Sequence, residues 1–291
     1  MNRTRRHLAW LAAGLAALPW ATALGAGGDG AARNTPPALP RWEAGLSLAG
    51  LYAPDYRGSD QSRGYALPLP YFVYRGERLR ADRDGVRAEV IETDRVELNV
   101  SFGLGLPVRA SRNDARRGME ELDWVVEAGP ALNVKLARWE GGRNDLTLRL
   151  PVRAAFAVDG GLDSIGYVFT PSVRATWRGV PWAGEALLRL STGPSFATRD
   201  YHRFYYGVAP QFATAARPAY EAGGGYSGWE LSGSAVRIAG SFRLFAFAGA
   251  DFVHGAAYED SPLVRQKTNY SVGIGFAYVL ARSSHPAGYS D

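Results

Sequence analysis

The stretch LYAPDYRGSD (residues 51–60) sets two acids, Asp55 and Asp60, beside Ser59 just after an alternating apolar run. Two carboxylates around Gly58 could bind Ca²⁺ weakly, and a serine close to acids could take part in nucleophilic catalysis. Pro, Gly, Asp and Ser are also the ordinary residues of a solvent-exposed turn. We interpret the segment as a solvated turn that holds no metal.

A hydrolase would need a serine or another nucleophile beside a histidine that an acid orients. Beyond residue 25 the chain offers His202, His254 and His285. His254 stands near Asp251 and Ser261 in the sequence, but a polar residue at the end of a strand is the simpler interpretation. His202 is interpreted as loop packing, and no spacing of acids and histidines indicates a metal site. We therefore predict no enzymatic activity, no catalytic residues and no cofactor.

The first 25 residues have the composition of a secretory signal peptide. Arg3, Arg5 and Arg6 precede an apolar run over 8–20, and small residues follow that run. The run is too short to span a bilayer, and an N-terminal anchor helix is the alternative interpretation. Residues 26–40 are predicted to be a disordered lead-in, because they consist largely of Gly, Ala and Pro.

Charge and composition restrict the partners and the covalent chemistry. The chain has a formal charge of +5 and no cysteine, so disulfides and cysteine metal sites are excluded. Removal of residues 1–25 takes away three arginines and no acid, which leaves about +2 and gives nucleic-acid binding no electrostatic support. No later stretch is a long unbroken apolar run, so membrane-spanning helices are excluded.

Apolar residues recur at every second position through most of the chain. In RVELNVSFGLGLPVRA (95–110), seven apolar residues on one face alternate with Gly and polar residues on the other. Ordinary strands have about five or six residues, whereas a strand that crosses a bilayer needs about nine to eleven. The same pattern occurs in 42–53, 145–158, 241–253 and 269–280. A soluble barrel or sandwich and an inside-out membrane barrel both fit this alternation.

The length of these strands, their small and polar second faces, and the aromatic residues at strand ends favour the membrane barrel. The sequence predicts an all-β fold: a transmembrane antiparallel up-and-down β-barrel over residues 41–280, with a tail at 281–291. About twelve strands are predicted, at 41–53, 65–75, 78–83, 85–92, 96–109, 122–137, 145–158, 166–178, 182–197, 225–238, 241–255 and 268–280.

Single-chain barrels have an even number of strands and both termini in the periplasm, and this rule assigns each connection to the external or the periplasmic side. A thirteenth strand at 201–213 would break this alternation, so 198–224 is interpreted as one long external loop over or inside the mouth. The other predicted external loops are 54–64, 110–121, 159–165 and 256–267, and the short periplasmic turns are at 76, 93–95, 138–144, 179–181 and 239–240. Prolines inside the predicted strands indicate bulges or bends; they are Pro107, Pro130, Pro151 and Pro171.

Charged residues on the polar strand faces are predicted to point into the lumen. They comprise five acids and six bases, so neither sign dominates. Such a mixture favours ion-paired networks in a narrow barrel over a wide, selective pore. These residues are Glu97, Asp123, Glu127, Lys135, Arg149, Arg153, Arg174, Glu185, Arg189, Arg243 and Asp251.

Five stretches resemble the MipA/OmpV family of outer-membrane proteins, which is named for scaffolding a murein-hydrolysing lytic transglycosylase. They are YAPDYRGSD (52–60), LPLPYFVYRG (67–76), DYHRFYYGVAPQFA (200–213), RPAYEAGGGYSGWEL (217–231) and EDSPLVRQ (259–266). One departure is that the last predicted strand stops at Leu280, whereas such barrels commonly end on an aromatic residue. The motif residues expected in external loops are Tyr52, Pro54, Asp55, Tyr56, Gly58, Ser59, Tyr206, Gly207, Tyr220, Gly224, Asp260, Ser261 and Pro262.

The resemblance implies a non-enzymatic scaffold in the outer membrane of a Gram-negative cell, surrounded by outer-membrane lipid. Its expected protein partners are a murein hydrolase of the lytic transglycosylase type and a peptidoglycan synthase. The longest periplasmic turn, 138–144, offers Trp139 and Arg143 as candidate contact residues. The alternatives are a narrow channel or uptake barrel gated by 198–224 and a surface adhesin that uses the Tyr-rich loops. A lipid-active enzyme ranks last.

Overall fold

The computed structural model describes residues 40–75, 79–82, 85–88 and 95–285. The strands are Trp42–Pro54 (β1), Ser62–Arg75 (β2), Leu79–Asp82 (β3), Gly85–Ala88 (β4), Val96–Gly105 (β5), Trp124–Trp139 (β6), Asn144–Val158 (β7), Asp163–Phe169 (β8), Ser172–Val180 (β9), Ala186–Ala197 (β10), Gly225–Ala239 (β11), Phe242–Phe252 (β12) and Thr268–Arg282 (β13). One α-helix, Arg199–Tyr206 (α1), and 3-10 turns at Ala110–Arg112, Asp114–Arg116, Pro181–Ala183 and Pro210–Phe212 complete the described elements. The predicted signal peptide, nearly all of the lead-in, and 286–291 of the tail lie outside these residues.

All the strands belong to one antiparallel sheet in the order β4-β3-β2-β1-β13-β12-β11-β10-β8-β7-β6-β5, with β9 between β7 and β10. The first and last strands are joined, because β1 pairs with β13 from Glu43↔Arg282 to Tyr52↔Val272. The two ends of this order, β4 and β5, contact each other. Among the described residues, no helix is long and apolar enough to cross a bilayer.

Strands β8 and β9 share one position in the sheet, because both pair with β7 and both pair with β10. Pro171 lies between them and cannot donate a backbone hydrogen bond, which explains the break. The thirteen described strands therefore fill twelve positions in the sheet order. β13 continues to Arg282, two residues beyond the predicted end at Leu280.

The alternation seen in the sequence separates an apolar outer face from a polar inner face. In β13, Val272, Ile274 and Leu280 are all at least half exposed, whereas Ala277 between them is fully buried. A water-soluble core would bury these large side chains, so their exposure fits a sheet whose outer face contacts lipid. Aromatic side chains are exposed near both ends of the strands, at Tyr52, Trp124, Tyr167, Trp229 and Tyr270 on one side and at Phe72, Trp182, Phe242 and Tyr278 on the other.

Backbone pairing is interrupted beside Pro130 and Pro151, where the sequence indicated a bulge or a bend. Pairing between β6 and β7 passes from Ala128↔Ala154 to Ala131↔Pro151 without the intervening pairs. There a Cβ on Gly129 would lie 2.0 Å from the Val152 carbonyl oxygen, so only glycine permits this close approach of the two backbones. Pro107 lies beyond the end of β5, so it does not interrupt that strand.

The two ends of the sheet differ. Segments 55–61, 106–123, 198–224 and 253–267 connect strands at one end, and we call them together the cap. The turns 140–143, 181–185 and 240–241 connect strands at the other end, which we call the short-turn end. Residues 198–224 contain α1 and no strand, so the rejection of a thirteenth strand at 201–213 is confirmed.

Candidate functional site

The four cap segments pack into one hydrophobic core. Its centre is aromatic: Tyr206 stacks on Tyr258 with ring centroids 3.6 Å apart, and Tyr56 meets Tyr206 edge-on at 6.2 Å. All three rings are nearly or fully buried. The buried members of this core are Tyr56, Val108, Ala115, Leu122, Tyr206, Val208, Ala222, Val253, Ala256, Tyr258 and Leu263.

The segment that follows β1 is not the solvated turn that the sequence predicted. The Asp55 carboxylate lies 2.7 Å from Arg63 and accepts a 2.8 Å hydrogen bond from Asn113, which also donates to Ser59 Oγ. Gly58, at φ +91, donates its N–H to the Asn269 amide oxygen at 2.6 Å. Asp55 and Ser59 are buried because other loops supply their partners, and such long-range contacts leave no local sequence pattern.

Family-motif residues from three segments meet in this cap. The Tyr56 hydroxyl donates to the Leu263 carbonyl oxygen at 2.9 Å, and burial raises the pKa of Tyr56 to about 12. Ser261 Oγ donates to the Tyr206 carbonyl oxygen at 2.8 Å. The remaining motif residues lie around this core: Tyr52 and Pro54 at the end of β1, Gly207 directly after α1, Tyr220 in a bridge with Val208, Gly224 close to Arg199, Asp260 exposed, and Pro262 next to Ser261.

Arg57 reaches from the cap to the inner face of the sheet. Its guanidinium lies 2.9 Å from Glu230 of β11 and 3.2 Å from Asp251 of β12. These two acids face each other across the strand pair. The predicted inward direction of Asp251 therefore agrees with the structure, whereas Arg57 and Glu230 were not identified from the sequence.

Helix α1 is fixed to the wall by a second polar cluster. Glu127 of β6 and Arg153 of β7 form an ion pair at 2.8 Å. Tyr201 of α1 donates its hydroxyl to Glu127 at 3.1 Å, and Arg153 donates to Thr170 Oγ1 at 3.2 Å. Both charged residues were predicted to face inward, and the structure brings them together.

His202 of α1 is fully buried between the cap and β11. Its Nδ1 lies 2.6 Å from the Gly223 carbonyl oxygen and its Nε2 lies 2.6 Å from Ser227 Oγ. Burial lowers the pKa of His202, and the nearby Arg57 lowers it further, although the hydrogen bond to Gly223 acts in the opposite direction. The predicted packing role of His202 agrees with this burial, but the sequence gave no sign of its contact with Ser227, which is 25 positions away.

A cavity of about 230 Å³ lies beneath α1, where these clusters meet. Ion-paired side chains and hydroxyl groups line part of it, and tyrosine rings supply much of the rest, so its surface is mixed polar and apolar. Its lining consists of Asp55, Tyr56, Arg57, Gly105, Leu106, Glu127, Arg153, Val168, Thr170, Ser195, Tyr201, His202, Tyr205, Tyr206, Ser227, Glu230 and Tyr258. No group of three or more potential metal ligands occurs among the residues with assigned positions.

The other histidines considered in the sequence stand apart from this cavity. His254 is exposed after β12, whereas Ser261 is buried against Tyr206, so they form no nucleophile–base pair. His285 is exposed, and its carbonyl oxygen accepts from the Arg41 N–H. Asp60 is exposed, whereas Asp55 is buried in its own hydrogen bonds.

Most of the remaining charges predicted for the lumen lie on the inner face. Arg243 forms a buried ion pair with Glu43, an acid missing from the predicted set. Arg149 donates to Asn133, and Glu97 accepts from Asn99. Arg174 and Arg189 line a second, small cavity with Ser191, Ser232 and Ser234. Lys135 is half-buried near the irregular end of β6.

One predicted lumen charge, Glu185, is wrong, and another, Asp123, lies just outside the strands. Asp123 precedes β6 at the cap end, where partial burial and the neighbouring acids Asp159 and Glu121 raise its pKa. Glu185 lies in the turn before β10, with φ 59, and is exposed. The 3-10 turn Pro181–Ala183 delays the start of β10 to Ala186, so counting alternate positions from residue 182 assigned Glu185 the wrong location.

The short-turn end carries the candidate partner contacts. Trp139 ends β6 and packs edge-on against Trp177 at 6.5 Å. Arg143 is exposed, and its carbonyl oxygen accepts a 2.8 Å hydrogen bond from Arg178. Trp182 is 83% exposed, which makes it the most exposed large apolar side chain among the described residues. Trp182 begins the strand predicted at 182–197 and is not among the partner contacts predicted from the sequence.

Known proteins resemble this chain over most of its length. The family model described as MltA-interacting protein MipA matches residues 46–280. Outer membrane protein Omp26La of Vibrio anguillarum is 27% identical over 225 residues, which cover 75% of this chain and 80% of that protein. Outer membrane protein OmpV of Vibrio cholerae is 26% identical over 235 residues, which cover 75% of this chain and 80% of that protein. Among solved structures, outer membrane phospholipase A from Escherichia coli covers 85% of this chain and 94% of its own, at 10% identity and a TM-score of 0.33.

Proposed function

Because the chain belongs to the MipA family and is an outer-membrane protein, we propose that it is a closed barrel that holds murein-processing enzymes at its short-turn end. The family description names an interaction with MltA, and a lytic transglycosylase is therefore the first partner to test. A peptidoglycan synthase bound beside it would let one platform couple murein cleavage to murein synthesis. The scaffold role itself requires no chemistry from this chain.

Closure between β4 and β5 is part of this proposal. The two strands end the sheet order, contact each other, and follow one another in the chain. One cavity is lined by residues from β5, β6, β7, β8, β10 and β11 together with the cap, which requires the sheet to curve around the cap. A closed sheet would also leave no unpaired edge in the bilayer.

The packed cap is the observation that carries the scaffold proposal. Four segments bury their tyrosines and aliphatic side chains in one core at one end of the sheet. Arg57, Tyr201 and His202 then tie that core to strands β6, β11 and β12. Such a plug leaves no wide aqueous path, so a general-diffusion pore is disfavoured and the short-turn end remains as the functional surface.

The short-turn end has features of a protein-binding surface. Trp139, Arg143 and Trp182 bring two aromatic side chains and a cation to one end of the sheet, and tryptophan and arginine are enriched at binding hot spots. Two residues there, Glu140 and Glu185, hold positive φ angles of 51° and 59°. Non-glycine residues in this conformation are uncommon and indicate a backbone shape that the turns maintain.

Affinity purification of the detergent-extracted protein from its own envelope tests this proposal. We expect the wild type to recover a murein hydrolase, and Trp139→Ala with Arg143→Ala to lower that recovery at least about tenfold, because hot-spot truncations cost about 2 kcal/mol or more. Trp124→Ala, at the cap end, is the matched control and should recover as much as the wild type. Equal recovery by all the variants would reject the short-turn end as the contact surface.

A narrow channel gated by the cap is the second candidate, because a cavity lies directly beneath α1. Deletion of 203–222 should then raise the single-channel conductance in planar bilayers. Unchanged conductance of a correctly folded deletion variant would reject the gate.

A further inference from the structure

A β-bulge turns Ser227 toward the cap. In the pairing of β10 with β11, Ser195 faces Gly228 and Phe196 faces Tyr226, so Ser227 is the extra residue. Gly228 has φ +113, and a Cβ there would lie 2.3 Å from the Phe252 carbonyl oxygen. Bulges of this kind redirect a side chain, and only glycine permits this backbone shape at position 228.

The hydrogen bonds around His202 fix its tautomer. The Gly223 carbonyl oxygen can only accept, so His202 Nδ1 carries the proton and donates to it. In the neutral ring Nε2 is then an acceptor, and the Ser227 hydroxyl must donate to it at 2.6 Å. This is the arrangement in which a histidine can remove the proton of a serine nucleophile, with a carbonyl in place of the usual carboxylate as the orienting group.

The guanidinium group of Arg57 lies beside the Ser227–His202 pair. Arg57 lines the same cavity as His202 and Ser227. Its Nη2 is buried and has no hydrogen-bond partner within the described residues. A Cβ on Gly228 would lie 3.2 Å from that nitrogen, which places it next to the residue after Ser227. An N–H donor beside the nucleophile can stabilise the negative charge that develops on a carbonyl oxygen under attack.

We propose that Ser227 and His202 form a nucleophile–base pair that hydrolyses small carboxylic esters in the cavity beneath α1. Ser227 Oγ forms a bond to the ester carbonyl carbon while its proton passes to His202 Nε2, and Arg57 binds the carbonyl oxygen. The bond to the alcohol oxygen breaks, and the alcohol leaves with the proton from Nε2. Water then gives a proton to Nε2 and forms a bond to the acyl carbon, the bond between that carbon and Ser227 Oγ breaks, and Oγ takes the proton back from Nε2, which releases the acid and restores Ser227.

The cavity restricts the acyl group to a short one. Its volume is about 230 Å³, below the range of about 300–1,000 Å³ that is usual for drug-sized ligands. Leu106 and Val168 are the aliphatic side chains of the lining and tyrosine rings supply the rest of its apolar surface, so the volume, rather than the polarity, limits the length of the acyl chain. The substrate class is therefore esters of short-chain acids such as acetate, and intact membrane phospholipids are excluded as substrates.

This activity goes beyond the scaffold role and departs from the expectation that the chain has no catalytic residues. The two functions use opposite ends of the molecule, so they can fail separately. The variants at Trp139 and Arg143 do not touch the cavity, and variants at Ser227 and His202 do not touch the short-turn end.

Methanesulfonyl fluoride, a very small serine-directed reagent, provides the test on the full chain folded in detergent. We expect one sulfonyl group per molecule, located at Ser227 by peptide mass mapping of the wild type itself. We also expect 4-nitrophenyl acetate to be hydrolysed by the wild type. His202→Gln, which can keep a donor toward Gly223, should lower both rates by about 100-fold or more.

Ser232→Ala is the matched control, because Ser232 lies further along β11 near Arg174 and Arg189 and away from any histidine described here. It should react at the wild-type rate. An unmodified Ser227 in folded wild-type protein would overturn the proposal. So would modification without ester hydrolysis, or equal rates for the wild type and His202→Gln.

Discussion

Replacing Tyr206 with alanine should open the cap without unfolding the strands. The Tyr206 ring is only 3% exposed and packs against Tyr258 at 3.6 Å and Tyr56 at 6.2 Å. Large-to-small changes at buried aromatic positions cost about 3–5 kcal/mol. Because polar contacts and the packing of Tyr201, Phe204 and Tyr205 on β6, β7 and β8 join the cap to the strands, rather than a continuous ladder of backbone hydrogen bonds, we expect most of this loss in a local opening of the cap.

The assay is amide hydrogen exchange of the protein in detergent micelles. The reciprocal backbone bonds between Val208 and Tyr220 report on the cap, and the β1–β13 pair Leu48↔Phe276 reports on the wall. Since each 1.4 kcal/mol is a factor of ten, Tyr206→Ala should speed exchange in the cap by about a hundred- to a few thousand-fold. Exchange in the wall should change little.

Matched variants separate packing from other effects. Tyr206→Phe keeps the ring and should cost only about 1 kcal/mol, the usual net contribution of one hydrogen bond. A double-mutant cycle with Tyr258 should give a coupling of about 0.5–1.5 kcal/mol, the range for aromatic pairs. Equal acceleration of cap and wall amides, or no acceleration in the cap, would refute the view of the cap as one packed unit attached to a separate wall.

Three further predictions follow from single contacts. Arg243→Met should destabilise the protein by about 3–5 kcal/mol in urea unfolding, because it leaves Glu43 buried without its cation, and adding Glu43→Gln should recover much of the loss. The pKa of His202 in the folded protein is below its ordinary value of 6.5, so the stability that His202 contributes is complete above pH 6.5 and falls as the pH drops through the lower folded pKa. Proteolysis of 253–267 should therefore be faster at pH 5 than at pH 7.5. His202→Gln should remove that difference. Gly228→Ala should lower the unfolding temperature and abolish sulfonylation of Ser227, because its Cβ would meet the Phe252 carbonyl oxygen at 2.3 Å; unchanged sulfonylation would contradict the role assigned to the bulge.

The strands could be predicted from the sequence because their alternation is a local signal. In β13 the alternate apolar residues mark the outer face, whereas β12 also carries Phe245 and Phe247 on its inner face. The predicted limits of both strands are within a few residues of the observed ones. The pattern failed where local geometry shortened or interrupted a strand. A 3-10 turn moved the start of β10 past Glu185, and Pro171 divided one predicted strand into β8 and β9.

The cap and its site could not be predicted in the same way. The hydrogen bond between Asp55 and Asn113 joins residues that are 58 positions apart in the chain, and the one between His202 and Ser227 joins residues that are 25 positions apart. The direction of Ser227 depends on a bulge in a strand pair, which the residue pattern of β11 alone does not reveal. The family resemblance identified residues that lie in the cap, but their burial depends on the four cap segments folding against one another.

In the proposed function, the short-turn end binds a murein-processing enzyme while the cap fills the opposite end. Site-specific photo-crosslinking in the native envelope tests it most directly, with a photoreactive amino acid in place of Trp139 in one strain and of Trp124 in another. We expect an adduct with a murein hydrolase from position 139 and none from position 124. Adducts with that hydrolase from position 124 alone, or from neither position, would contradict it.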